Sequence, residues 1–395
     1  MAGPLAGIKV VDCSQIVSGP LAVMILADQG AEVIKVEPPG YGDLMRVGPY
    51  YRGGLSAFFA NVNRGKRCIV LDLTKDAGRE ILLKLVAEAD VFMQNWRPGA
   101  AERLGLGWDD LRKSNPRLIY CSVSGYGPSG PYSDRRVYDP IIQGITGHVA
   151  IQKNPEVPIP DLVRNIIADK STSWTAAQAI TAALFARERG APGQHIQVPM
   201  IDSSLFFFWP DGMMKHTFVG EAERKLPVLY EIYRIYETAD GHLIYFTASE
   251  SEFHGLFRAL AHPEWCTDSR FNGAGLANTE NRELLGGMIL EEIRKWPTRE
   301  LIARMAAEQV PVGPVNSIEE MLVDPQIVHN DSWFELDHPT AGKIRAPRPV
   351  ARFSETPQQV RRMPPLHGEH TAEVLRELGI DDAGLAKLKA DGVIP

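Results

Sequence analysis

An alternation of short apolar runs with amphipathic ones through the first half of the chain limits the fold more than any other feature. The runs "IKVVDCS" (8–14), "AEVIKVE" (31–37), "VFMQN" (91–95) and "RLIYCSVSG" (117–125) read as strands, and residues 19–30, 76–90 and 108–115 between them read as helices. Strands joined through helices lie parallel, and such a sheet is covered on both faces. Ligands on sheets of this kind sit beyond the carboxyl ends of the strands. Here those ends are "SQIVSGP", "EPPGYGD", "QNWRPG" and "SGYGPSGP", rich in Gly, Pro and polar groups. After residue 170 an alanine-rich helix runs to a stop at Gly190, and "HIQVPM" (195–200) reads as a further strand.

At 395 residues the chain exceeds the size of a single core, so more than one domain is expected. The pattern changes near residue 225. "YEIYRIYETADGHLIYFTAS" reads as a hairpin turning at Asp240-Gly241, followed by three helical patterns between 251 and 308. The expected organisation is α/β: a Rossmann-like parallel-sheet domain over 1–200, a linker over 201–225, a smaller α+β domain over 226–325, and a linker and return to the large domain over 326–395.

Composition removes several function classes. A net charge of −7 argues against a nucleic-acid surface but leaves room for a local basic pocket. Four dispersed cysteines without a C-x-x-C pair fit a reducing cytoplasm. No leader or 18-residue apolar stretch is evident, so neither secretion nor a membrane span is expected. The first strand is followed by no G-x-G-x-x-G, and no P-loop or G-x-S-x-G elbow is present. "HGEH" (367–370) offers two histidines without a clustered third ligand, which favours a structural role over a metal. Arg46, Lys66, Arg67, Lys75, Arg97, Arg103, Arg135 and Arg136 recur beside strand ends, each a surface charge alone and a polyanion pocket if they converge. Within "RNIIADKSTSW" (164–174), Asp169 suits either a helix N-cap or a reactive carboxylate, and the residues alone leave both open.

The segments "GIKVVDCSQIVSGPLAVMILADQGAEVIKVEPPGYGDLMR", "NRGKRCIVLDL", "ADVFMQNWRPGAAERLGLGWDDLRKSNPRLIYCSVSGYGPSGPY", "YDPIIQGITG", "VPVGPVNS" and "PPLHGEHTAEVLRELG" together resemble the class III CoA-transferases, the family of the formyl-CoA and carnitine enzymes. The resemblance spans essentially the whole chain. It implies a CoA-transferase moving CoA from an acyl-CoA donor to a carboxylic acid, with Asp169 as nucleophile and aspartyl anhydride and aspartyl-CoA thioester intermediates. It also implies no permanently bound cofactor, coenzyme A entering as a thioester substrate, and an interlocked homodimer. A carboxylate at a helix N-terminus is expected to have a lowered pKa and to stay ionised.

Other positions carry over from the resemblance singly. Arg103 and Leu104 resemble the pair that holds the CoA nucleotide, and Asn95 and Trp96 the strand-end pair beside the pantetheine. Arg136, Val137 and Tyr138 resemble a CoA-contacting Lys-Val-Tyr stretch, and Leu71 and Lys75 fall near the adenine. Met200 matches a pocket residue. Val17 stands at a CoA-contacting position where the formyl-CoA enzymes carry Gln, "TASESEF" (247–253) replaces a glycine-rich loop, and Pro38 replaces an Arg. These departures argue against oxalate as acceptor. The alternatives are an α-methylacyl-CoA racemase, whose relatives carry a histidine where this chain has Tyr138, and a non-catalytic CoA-binding protein in which Asp169 only caps a helix.

Overall fold

The computed structural model describes residues 3–152, 161–223, 226–273 and 275–395. The chain divides into two compact units, Met1–Thr217 with Asp331–Pro395, and Phe218–Asn330.

The first unit is built on β1 (Lys9–Asp12), β2 (Glu32–Glu37), a short ribbon β3 (Tyr51–Arg52) and β4 (Leu55–Ser56), β5 (Lys66–Val70), β6 (Val91–Gln94), β7 (Ile119–Ser124) and β8 (Gln194–Pro199). Six of these form one parallel sheet in the order β5-β2-β1-β6-β7-β8. Successive residues of a strand point to opposite faces, and the core follows that period. Val91, Met93, Ile119 and Cys121 face a core formed with α1 (Ser18–Asp28) and, later in the chain, the long helix Ile167–Glu188. Phe92, Leu118 and Tyr120 face the opposite core, which includes Ile81, Leu82 and Leu85 of Asp76–Ala87 and Val374 and Leu375 of Thr371–Glu377. Both faces are covered, as a parallel sheet requires.

The helices of this unit follow as α2 (Ala57–Asn63), α3 (Asp76–Ala87), α4 (Ala100–Arg103), α5 (Trp108–Ser114), α6 (Asp139–Ile145), α7 (His148–Ile151), α8 (Ile167–Glu188) and α9 (Met200–Gly212). Two of these features depart from the sequence reading. Residues 201–212, read as linker, are helical: α9 packs against α8, and Pro210 sits inside it rather than ending it. Strand β5 was concealed by its leading Lys66-Arg67 pair, whose charges are satisfied inside the unit by Asp12 and by Glu373 and Glu377.

The second unit carries an antiparallel sheet, β9 (Tyr236–Glu237), β10 (His242–Tyr245) and β11 (Val312–Pro314) in the order β11-β10-β9. Its core includes Leu243, Leu256, Phe257, Trp265, Ile289 and Leu301. "TASESEF" is the start of the helix Glu250–Ala259, with Ser249 and Glu252 forming a capping box.

Candidate active site

The loops after β1, β2, β6 and β7 meet in a cleft of about 620 Å³ at the carboxyl end of the sheet. Asn95, Trp96, Arg136, Val137, Tyr138, Asp169 and Met200 all line it, together with Ser18 and Pro38. Other expected residues lie elsewhere. Val17 and Leu71 are buried side chains, 2% and 0% exposed, and Leu71 belongs to the core beneath the sheet. Lys75 Nζ donates to the Asp391 carbonyl oxygen at 2.5 Å. Arg103 is exposed at the end of α4, outside the cleft lining, and Leu104 packs partly against the second core.

Of the basic residues that recur in the loops, Arg46, Lys66, Arg67 and Lys75 are engaged by Glu37, Asp12, Glu373 with Glu377, and Asp72. Arg97, Arg135 and Arg136 line the cleft and give it positive charge. "HGEH" ties the C-terminal segment to the sheet: His367 Nε2 lies 3.1 Å from the Pro38 carbonyl, and His370 Nδ1 accepts the Cys68 amide at 3.2 Å.

Asp169 does not cap its helix. The N-cap of α8 is Ile166, without a side-chain cap bond, and Asp169 stands in the first turn. Its backbone amide donates to Asp139 Oδ2 at 2.9 Å. Asp139 Oδ1 in turn accepts from Gln143 Nε2 at 2.5 Å, and Gln143 pairs with the Val163 backbone, accepting its amide at 3.0 Å and donating to its carbonyl at 3.2 Å. α6 thus pins the approach to α8 at both ends of residues 163–169.

The Asp169 side chain turns to the start of α1, where the hydroxyl and amide of Ser18 act to lower its pKa. Two helix N-termini therefore favour its ionised form. They do not win. Burial, followed by the negative charge of Asp139, pushes the Asp169 carboxyl up to about 7, with Ser18 recovering only part. The lowered pKa expected from the helix position is corrected accordingly: at 9% exposure, loss of water and the charge of Asp139 outweigh the Ser18 donors.

The loop that delivers Ser18 is held under strain. Ile16 has φ +70°, a left-handed conformation costing an L-residue about 1–2 kcal/mol and especially awkward for a β-branched side chain. Its amide is accepted by both Asp43 oxygens, at 3.1 and 3.2 Å. Next to it, Gln15 exchanges two bonds with Asn95, N–H to Oδ1 at 2.8 Å and carbonyl from Nδ2 at 2.7 Å. The Asn95 amide is thus used by the protein itself. The Ser14 amide donates to Asp12 Oδ1 at 3.0 Å and its carbonyl accepts Lys35 Nζ at 2.7 Å. A Cβ on Gly19 would lie 2.3 Å from Ser14 Cβ, so α1 reaches this loop only with glycine there.

Asp12, Lys35, Glu37, Asp43, Arg46 and Lys66 are all buried beneath the loop, three acids against three bases. The register puts Asp12 directly beside Lys35 on the neighbouring strand. Burial alone would raise Asp12, but Lys66 and Lys35 hold it below the usual carboxylate range. Burial pulls Lys66 down to about 8 against the attraction of Asp12. Sequence reading missed Ser18, Asp139, Gln143, Lys35 and Asp43. The available signal was an acid and a lysine inside the otherwise apolar strands "KVVD" and "EVIKVE".

Known proteins resemble this chain over nearly its whole length. The model for CoA-transferase family III matches residues 5–371. The succinyl-CoA:glutarate CoA-transferase of Homo sapiens is 32% identical over 99% of this chain and 90% of its own length. The succinate–glutarate CoA-transferase of Agrobacterium fabrum is 34% identical over 95% and 96%. The crystal structure of a CAIB/BAIF family protein from Brucella suis superposes with a TM-score of 0.82 at 32% identity, covering 96% of this chain and all of that one. The parallel-sheet architecture and the match over nearly the whole length agree, and the chain belongs to CoA-transferase family III, a family of transferases that act on CoA thioesters.

Proposed function

We propose that the chain transfers coenzyme A from an acyl-CoA to a free carboxylic acid through covalent intermediates on Asp169. An Asp169 oxygen attacks the thioester carbonyl and the C–S bond breaks, giving an aspartyl acyl anhydride and CoA thiolate. The thiolate attacks Asp169 Cγ, the bond to the acyl oxygen breaks, and the donor leaves as its carboxylate. The acceptor carboxylate attacks the resulting aspartyl-CoA thioester and releases the thiolate. The thiolate then takes the acceptor acyl group from the new anhydride and restores the carboxylate. Each hard exchange is divided into easier acyl transfers.

The observation that carries this reading is the buried Asp169 carboxylate on the cleft lining, beside Ser18 at the start of α1. A raised pKa goes with a more basic and more nucleophilic carboxylate, and burial keeps water from the anhydride. The Ser18 hydroxyl and amide, beside the carboxylate on the cleft lining, are donors for its oxygen when Cγ becomes tetrahedral. Trp96, Arg97, Arg136 and Val137 offer an aromatic, cationic and apolar wall for the CoA chain and its phosphates. Arg103, Leu104, Lys75 and the backbone around Leu71 and Val17 are proposed as outer contacts of the nucleotide.

The substrates we propose are short dicarboxylic acids. The relatives from Homo sapiens and Agrobacterium fabrum are named for succinyl-CoA or succinate with glutarate, and Arg135 supplies a cation on the cleft wall for a second carboxylate. The departures at Val17, Pro38 and residues 247–253 from the formyl-CoA pattern disfavour oxalate. We further propose a homodimer in a reducing compartment: α9 exposes Phe206 and Phe207 at 81% and 56%, and the four cysteines are free.

The test is to mix enzyme with succinyl-CoA without acceptor, quench rapidly, and treat with hydroxylamine or borohydride. A mass change confined to the peptide containing residues 165–170 is expected. Exchange of the substrate α-hydrogen with deuterated water and no adduct would establish the racemase instead, a reaction for which no histidine lines the cleft among the described residues.

A further inference from the structure

The strained turn ahead of α1 is gripped from below by residues that never reach the cleft. Asp43 is 0% exposed, although Gly42 and Leu44 on either side of it line the cleft. Its carboxylate spends both oxygens on the Ile16 amide, and Lys35 Nζ fixes it at 3.1 Å from below. The same lysine holds the Ser14 carbonyl. The Asp43 amide donates to Glu37 Oε2 at 2.9 Å, and Glu37 is held in turn by two bonds from Arg46, at 2.6 and 2.7 Å. Among the peptide N–H groups this chain of buried ions holds is that of Ile16, the residue with positive φ.

That residue is two positions from Ser18. A free isoleucine disfavours the left-handed region by roughly five- to thirty-fold. If Ile16 relaxed to negative φ, the peptides of Val17 and Ser18 would turn away from Asp169, and the donors on its carboxylate would be lost. A glycine at position 16 would enter the same conformation without a steric penalty. Isoleucine needs an external grip.

We infer that Asp43, fixed by Lys35, is a positioning residue for the transfer reaction: it holds Ile16 left-handed and so keeps the first turn of α1 on the nucleophile. The inference rests on Asp169 acting as that nucleophile. Asp43 also accepts the Met45 amide at 3.0 Å and so caps the short turn Leu44–Val47. A role confined to that cap would make no demand on residue 16, and this separates the two roles.

The experiment is a double-mutant cycle between residues 43 and 16, read in kcat, in the KM for succinyl-CoA and in thermal melts. Asp43→Ala strands the buried Lys35, so Lys35→Met/Asp43→Leu, which replaces the ion pair by apolar groups, is run beside it. Each is made in the native background and with Ile16→Gly, the latter serving as its own reference. The expected result is a fall in kcat of at least tenfold with Ile16 present, a KM change below threefold, and a kcat loss reduced to about threefold or less when residue 16 is glycine. Equal losses in the two backgrounds, or an unchanged kcat in the folded variants, would overturn the inference. The cycle uses only relative steady-state rates. Absence of the Asp169 adduct from the unaltered enzyme would instead overturn the proposed chemistry.

Discussion

Replacing Asp169 by asparagine should remove transfer activity and at the same time stabilise the protein in a pH-dependent way. The carboxyl is 9% exposed and titrates near 7 against an ordinary value of 3.8. Between about pH 4 and 7 the folded chain thus keeps a proton that the unfolded chain has released. Stability falls there by about 1.4 kcal/mol per pH unit, or on the order of 4 kcal/mol over the window, and the loss is complete above the folded value. The asparagine side chain carries no charge at any pH, and every other titrating group is shared by the two proteins. The difference in unfolding free energy, variant minus wild type, should therefore rise from pH 4 to pH 7 and level off by pH 8. At about 2 °C per kcal/mol for a unit of this size, the melting temperatures should separate by several degrees more at pH 8 than at pH 4.5. Urea unfolding and calorimetry of both proteins from pH 4.5 to 8.5 measure this directly. A difference that stays flat, or wild type gaining on the variant as pH rises, would refute the reasoning. The flat result is what the two helix ends would produce if they outweighed burial, because a carboxyl held below its ordinary value changes stability only below about pH 4.

Transfer requires the ionised carboxylate, so kcat/KM should fall about tenfold per pH unit below 7 and reach a plateau above it; a break near 4 would contradict the buried site. Asp139→Asn removes the second cause of the raised value and should move that acid limb to lower pH, read from the same profile. Arg103→Ala should raise the KM for acyl-CoA roughly ten- to a hundred-fold, the worth of one charge-assisted bond of about 1.5–3 kcal/mol, with turnover little changed. An unchanged KM would return Arg103 to the solvated surface. Gly19→Ala forces a methyl against Ser14 and should cost about 1–3 kcal/mol in urea unfolding; a neutral result would mean the loop yields easily.

Local patterns made the sheet legible because its physics is local. Val91-Phe92-Met93 and Ile119-Tyr120-Cys121 alternate between two cores, and a strand buried on both faces reads as a continuous apolar run. The stop of α8 was visible in Gly190, which has φ +97°. β5 was not legible, because its lysine and arginine find their acids on elements distant in sequence, Asp12 on β1 and Glu373 and Glu377 on Thr371–Glu377. In the cleft, the strand-end loop carrying Asn95 and Trp96, the basic Arg136 and the carboxylate Asp169 were legible from the residues, whereas Val137, Tyr138 and Met200 came only through the family resemblance. Leu71 also follows a strand, yet its side chain points into the core. Position along the chain does not tell which way a residue faces once the strand has ended. The pKa of Asp169 was misjudged for a related reason. A helix terminus can be read from sequence, whereas the depth of a carboxylate and its distance from a second acid at residue 139 are properties of the assembled fold.

The buried ions beneath the loop raise the question of why a core would hold six charges. Replacing such groups by apolar side chains of similar volume is often neutral or stabilising, so stability alone does not explain them. An apolar core could fill the same space, but it could not hold a backbone N–H in an unfavourable conformation, because dispersion contacts have no direction. The carboxylate of Asp43 has direction, and Lys35 keeps it from turning. The same logic applies on the far side of the nucleophile, where Asp139 accepts the Asp169 amide. Asp139 raises the pKa of the side chain while fixing its backbone, so one carboxylate sets both the place and the basicity of the reactive group. Losing that charge while keeping the shape, as in Asp139→Asn, should therefore shift the acid limb of the rate profile without an equal change in the plateau. Losing the shape as well, as in Asp139→Ala, should lower the plateau itself. If both variants moved only the plateau, Asp139 would hold Asp169 in place without tuning it, and burial alone would have to account for the value near 7.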